Sequence, residues 1–182
     1  MFNEAKTAQM AAYLLARSGG RMRYIKLVKL LYLADRESMR QVGDSMTHDL
    51  TYSLPQGPVL SNTLNLVKGS AVGDHWRTMV VKDGYDSCLS APVAVDDLDE
   101  LSPQDTDILD AVLAQFGAMS WQAVVQWTHD RLPEWKNPGA SRLPIRPEDI
   151  FSALGWTDED AQRMGAEYAE RRALERLWAQ YG

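Results

Sequence analysis

One stretch, Tyr24 to Arg40, constrains the fold more than any other part of this chain. Apolar residues at Tyr24, Leu27, Val28, Leu31 and Ala34 follow the i, i+3, i+4, i+7 recurrence of an α-helix. Ile25, Leu30, Tyr32 and Leu33 are apolar as well, so little of the circumference is left for water. A helix of this kind is enclosed by other elements rather than laid across a surface. The spacing therefore predicts a buried central helix over residues 24–40 of a mainly α (α+β) domain. Leu27 and Leu31 are structural positions on it, and Lys26, Lys29, Arg36 and Arg40 mark its wet edge.

The chain of 182 residues fits one domain, 1–182, with a sizeable core. A hydrophobic content of 45% and a charged content of 24% are those of an ordinary globular protein. The longest apolar run falls short of the ~18 residues that suggest a membrane span, and Met1-Phe2-Asn3-Glu4 lacks the basic start of a signal peptide. With Cys88 as its one cysteine the chain has no internal disulfide, so the expected location is cytoplasmic, with no membrane partner. A net charge of −6 argues against a chain built to coat nucleic acid. The charge is uneven, however. Residues 1–40 carry a net +5, whereas 96–110 hold Asp96, Asp97, Asp99, Glu100, Asp105, Asp107 and Asp110 with no Lys or Arg. Two solvated, partly complementary faces explain this; a bipolar surface for a charged partner is the alternative.

Local signals divide the rest. Asn3 caps a first helix over 3–18 that Gly19-Gly20 stops, and small Ala5, Ala8 and Ala12 let it approach the central helix closely. Asp49–Leu54 reads as a short strand or an extended entry, and Pro58 as the first residue of a helix reaching about Lys68. Trp76–Lys82, Asp83-Gly84 and Tyr85–Ser90 predict a β-hairpin over about 76–90 with a type I′ turn. Ser102-Pro103 and Ser120 each open a helix, the latter running from Trp121 to about Arg131. Pro147 opens a short one, and a C-terminal amphipathic helix spans about 158–181.

No catalytic constellation emerges. His48, His75 and His129 lack metal-ligand spacing, and no phosphate loop, nucleophile elbow or dinucleotide fingerprint occurs. Thr128 and His129, near a helix end, suit structural roles. Among the many C-terminal tryptophans, Trp135 and Trp178 are candidates for a partner surface. No enzymatic activity, metal or cofactor is expected.

Lys26-Leu27-Val28-Lys29-Leu30-Leu31-Tyr32 resembles the Lys-Leu-x-Lys-Leu-Leu-Tyr signature of the Panacea antitoxin domain, also called SocA-like. Leu54-Pro55-Gln56-Gly57-Pro58-Val59 is similar to that family's Gly-Pro-Val turn, with Gln56 as a departure. Leu101-Ser102, Trp127-Thr128-His129 and Leu132-Pro133-Glu134-Trp135 follow in the family's order, so that the likeness spans about 3–155. The resemblance implies a non-enzymatic antitoxin that binds and neutralises a cognate protein toxin. Its SocA-like branch further implies a proteolytic adaptor that delivers the toxin to ClpX of the ClpXP protease. Partner-binding candidates are Lys26, Lys29, Arg36, Arg40, Gln56, Trp135 and Trp178; Gly57, Pro58, Thr128 and His129 join Leu27 and Leu31 as structural. The competing reading is a nucleic-acid-binding transcriptional regulator that uses the basic helical face.

Overall fold

The computed structural model describes residues 1–181. Helix α1 (Glu4–Ala16) begins where the Asn3 side chain accepts from the Lys6 amide at 3.0 Å. Past α1 the chain turns through Gly19 and Gly20 at φ +83° and +82°, which glycine adopts without strain. Strand β1 (Arg21–Arg23) then leads into α2 (Tyr24–Val42), the helix expected over 24–40, and Gly43 closes it in the left-handed conformation. Leu27, Leu30, Leu31 and Ala34 are wholly buried on α2, as are Ala8, Ala11 and Ala12 on α1. The main core forms around these residues.

After α2 the structure departs from the sequence reading. Strand β2 (Thr51–Leu54) pairs with β3 (Gly57–Leu60), so Pro58 lies in a strand opposite Ser53 instead of opening a helix. Pro55 and Gly57 occupy the second and fourth positions of the turn, where a type I turn favours them. Because β3 is an edge strand, a proline is tolerated there.

Helix α3 (Ser61–Lys68) consequently starts late, and its own N-cap, Leu60, provides no side-chain acceptor. Buried Asp49 provides it from a distance. One of its oxygens accepts from the Asn62 amide at 3.0 Å, the other from the Thr63 amide and hydroxyl at 2.8 Å each. Asp49→Ala is expected to cost about 2 kcal/mol, read as a lower urea midpoint at unchanged slope, because it strands buried donors.

The expected hairpin is present but shorter. Trp76–Met79 form a helical turn, α4, before β4 (Val80–Asp83) and β5 (Asp86–Leu89). Asp83 pairs with Asp86, so the loop is Gly84-Tyr85; Gly84 sits at φ +60° while Tyr85 stays at negative φ, which is type II′ and not I′. With β1 these strands make an antiparallel sheet in the order β1-β5-β4.

A 3-10 turn (Val95–Asp97) precedes α5 (Pro103–Phe116), which Ser102 and Asp105 open with a capping box. Ser120 caps α6 (Trp121–Arg131). Strand β6 (Leu143–Ile145), unforeseen from the sequence, adds to β2 and gives a second antiparallel sheet in the order β3-β2-β6. Helices α7 (Pro147–Ala153) and α8 (Asp158–Tyr181) enclose a smaller core of Met39, Ile145, Ile150, Phe151, Ala161 and Tyr168. The fold is mainly helical, α+β.

Much of the charge asymmetry is satisfied internally. Lys6 meets Asp105 at 2.8 Å, Arg17 meets Asp110 at 3.0 Å, and Gln9 donates to Asp99 at 2.7 Å. Acids of 96–110 thus hold α1, as complementary faces would.

Candidate functional site

Lys26, Lys29, Tyr32 and Arg36 rise along α2 at spacings of three or four residues, so they form one stripe. The stripe is not a wet edge, and this corrects the sequence reading. Lys26 is half-buried, and its ammonium donates at 2.7 Å to both the Gly117 and Met119 carbonyls at the end of α5. A cation is favoured at such a terminus. Burial lowers its pKa.

Lys29 is wholly buried and donates to the Pro58 carbonyl at 2.6 Å, and burial pushes its pKa down to about 7. The Tyr32 hydroxyl donates to Glu134 Oε1 at 2.8 Å, and Arg36 Nε reaches the same oxygen at 2.6 Å. Burial, and then the Glu134 carboxylate, raise the Tyr32 pKa. Arg40 is exposed and bonds to Glu37. Along the stripe α2 is therefore tied to three elements in turn: by Lys26 to the end of α5, by Lys29 to β3, and by Tyr32 and Arg36 together to the loop after α6. Charge alone suggested exposure; the apolar circumference of the helix was the better guide.

The Gly-Pro-Val and Trp-Thr-His segments meet at Lys29. A Cβ built on Gly57, at φ +95°, would lie 2.6 Å from Thr128 Oγ1, 2.9 Å from Lys29 Nζ and 3.3 Å from His129 Nε2. Those three polar groups consequently converge on a backbone that has no side chain. Thr128, wholly buried, donates to the Val125 carbonyl at 2.7 Å. Its neighbour His129 does not bond a free carbonyl through Nε2, as a helix-end imidazole could; that nitrogen is buried without a partner. The ring instead stacks on Trp135, with centroids 4.1 Å apart and planes 15° apart. Burial first, and then the Lys29 charge, push the His129 pKa below its ordinary value.

Trp135 is half-buried and donates from Nε1 to the Leu54 carbonyl at 2.9 Å, which ties the last segment back to β2. Glu134, buried at 4% exposure, is the member that the sequence reading missed. Nothing in an irregular loop marks one glutamate as the acceptor for Tyr32 and Arg36.

The chemistry available here is that of a fixed polar core. A lysine with a pKa near 7 resembles a catalytic amine, but Lys29 and Thr128 are sealed from solvent. Among the described residues no group of three or more His, Cys, Asp or Glu has a metal-binding arrangement. Beside the cluster the surface is concave. A depression of about 250 Å³ between the start of α2 and the β2–β3 turn adjoins another of about 200 Å³, and the two share Tyr24, Ile25 and Gln56. Gln56 is exposed on their common rim. Trp178, at 77% exposure on α8, is remote in sequence from the cluster.

The family described as antitoxin SocA-like, Panacea domain, matches residues 27–136, more than half of the chain. The chain belongs to that family. The match begins inside α2 and ends just past Trp135, so the Panacea domain here holds Lys29, Gly57, Thr128, His129 and Glu134. The match is shorter than the 3–155 read from the sequence and leaves α1, β1, β6, α7 and α8 outside. No curated protein and no solved structure matches the chain. Among the described residues no single helix is long and apolar enough to cross a membrane.

Proposed function

We propose that this Panacea-domain chain neutralises a cognate protein toxin by binding it, and that it acts as an adaptor delivering the toxin to the ClpXP protease. The observation that carries the first part is the membership itself, together with the use made of the signature residues. They build a sealed framework under an open groove, which suits a binding scaffold better than a reaction centre.

An adaptor needs a second contact surface. Leu174, Leu177 and Trp178 supply a candidate, because they recur at helical spacing near the end of α8 and are 51%, 52% and 77% exposed. The nucleic-acid reading loses its premise, since the basic face it required is dispersed into internal bonds at Lys26, Lys29 and Arg36.

The test is co-expression with the protein encoded next to it. The expected result is growth arrest by that protein alone and recovery with this chain, with the two co-purifying. Arrest that persists in the presence of folded chain overturns the antitoxin reading. In cells lacking ClpX the toxin's half-life should lengthen; an unchanged half-life would mean neutralisation by blocking.

A cut after Ala173 separates the two surfaces better than one at Thr157, because Ala161 and Tyr168 cover the α7 core. Removing 174–182 is expected to leave the thermal midpoint and toxin binding unchanged while toxin turnover slows. Turnover as fast as with the full chain would remove α8 from the protease contact.

A further inference from the structure

We propose that the groove at the start of α2 is the toxin-docking surface, and that it takes an extended segment of the toxin bearing acidic and apolar side chains. This inference rests on the toxin-neutralising reading above. It assigns a surface and a ligand chemistry to that reading.

The walls give the apolar half of the argument. Tyr24, Ile25 and Val28 from α2 face Val59 and Leu64 from β3 and α3 across the larger depression. Half-buried Trp121 and Tyr85, 69% exposed, line the smaller one. An exposed tyrosine and a half-buried tryptophan beside aliphatic walls are the residue types that anchor protein interfaces. The two depressions adjoin, so a single extended strand of partner could seat side chains in both.

The rim gives the charge. Lys68 is exposed on the larger depression, and among the described residues no carboxylate pairs with it. Exposed Lys82 lies beside it, its ammonium 3.0 Å from the Lys68 carbonyl oxygen. Arg23, on the smaller depression, lies over the Tyr85 ring and shares Asp86 with Arg21. Asp83 and Asp86, the acids near this rim, are thus already engaged by arginines. A locally cationic groove on a chain of net charge −6 favours an acidic occupant and disfavours a basic one. The floor is rigid, because Lys29 and Gly57 fix the β2–β3 turn from beneath. Little ordering is then required when a partner docks.

The experiment uses the full chain and the purified neighbouring toxin. Lys68→Glu combined with Tyr85→Ala alters two exposed side chains and leaves the Tyr85 carbonyl free to accept from the Tyr24 amide. Circular dichroism should show an unchanged fold, with Val42→Ala, an exposed side chain at the opposite end of α2 from the groove, as the control variant. Wild type and control should bind toxin alike, the double variant about tenfold or more weakly. Raising the salt concentration should weaken wild-type binding. A photocrosslinker at Gln56 should label a toxin segment rich in Asp and Glu. Unchanged binding by the folded double variant, or a crosslink to a basic segment or to nucleic acid, overturns the groove assignment and leaves toxin neutralisation standing. If the wild type fails to bind, both readings fall. Should the double variant not fold, the crosslink from otherwise wild-type chain decides alone.

Discussion

Gly57→Ala is expected to cost about 3 kcal/mol, a large share of the stability of an ordinary domain. Two effects add. At φ +95° an L residue pays roughly 1–2 kcal/mol for its backbone conformation. The new methyl also meets Thr128 Oγ1 at 2.6 Å and Lys29 Nζ at 2.9 Å, contacts that real Cβ atoms do not tolerate. Overpacking of this kind adds about 1–3 kcal/mol. Thr128 has little room to move, because it is wholly buried and its hydroxyl is held by Val125. The measurement is the urea midpoint against wild type. A change under about 0.5 kcal/mol would show that the cluster yields freely and is not the rigid floor inferred for the groove. Gly84→Ala is the natural control, since nothing lies within 4 Å of its Cβ position and only the conformational cost remains.

Features that depend on a few adjacent residues were legible in the sequence. Asn3, Ser102 and Ser120 cap their helices as their local patterns require, and Gly43 ends α2 where the apolar recurrence stops. Pro58 illustrates the limit. At helix position N1 and in an edge strand its missing N–H costs equally little, so the local rule could not choose between them; pairing with β2 did. Strand β6 carries Pro144 and lies far along the chain from β2, hence no short-range signal announced it. Asp49 caps α3 from outside the helix, which a search for a capping residue next to the helix start cannot find.

The site divides the same way. Each signature segment could be named, and the family match confirms the resemblance, but the segments' meeting point is a tertiary fact. Lys29 shows why. A lysine in sequence is first read as solvated, because a buried ammonium must lose its hydration. Here that loss is partly offset by one carbonyl, and what the position gains is a tie between α2 and the β2–β3 turn. The other polar members of the stripe make comparable ties through carbonyls and Glu134, so the interior of this Panacea domain is held by directional bonds as well as by apolar packing.

That arrangement gives Lys29 a pH signature. Burial lowers its pKa from 10.5 to about 7, so in the folded state it is charged only below about pH 7, whereas in the unfolded chain it stays charged to about pH 10.5. Between those values the unfolded state binds the extra proton, and stability rises with pH. Below pH 7 both states hold the proton and the penalty is constant; above 10.5 neither does and the gain is complete. The span corresponds to at most roughly 5 kcal/mol. The comparison is with Lys29→Met, which keeps an unbranched chain of similar length and removes the titrating group. Wild type should gain stability relative to this variant from pH 7 to 10.5 and run parallel to it outside that range. Tyr32, whose raised pKa makes it lose stability at high pH, is common to both proteins and cancels in the difference. His129 is relieved of the Lys29 charge in the variant, but its own titration lies at the lower edge of the window or beneath it. Parallel curves across the whole range would mean that the Lys29 ammonium stays charged in the folded protein, held by more than the Pro58 carbonyl. The buried stripe would then be a chain of ionic ties rather than a neutral amine sealed under a turn.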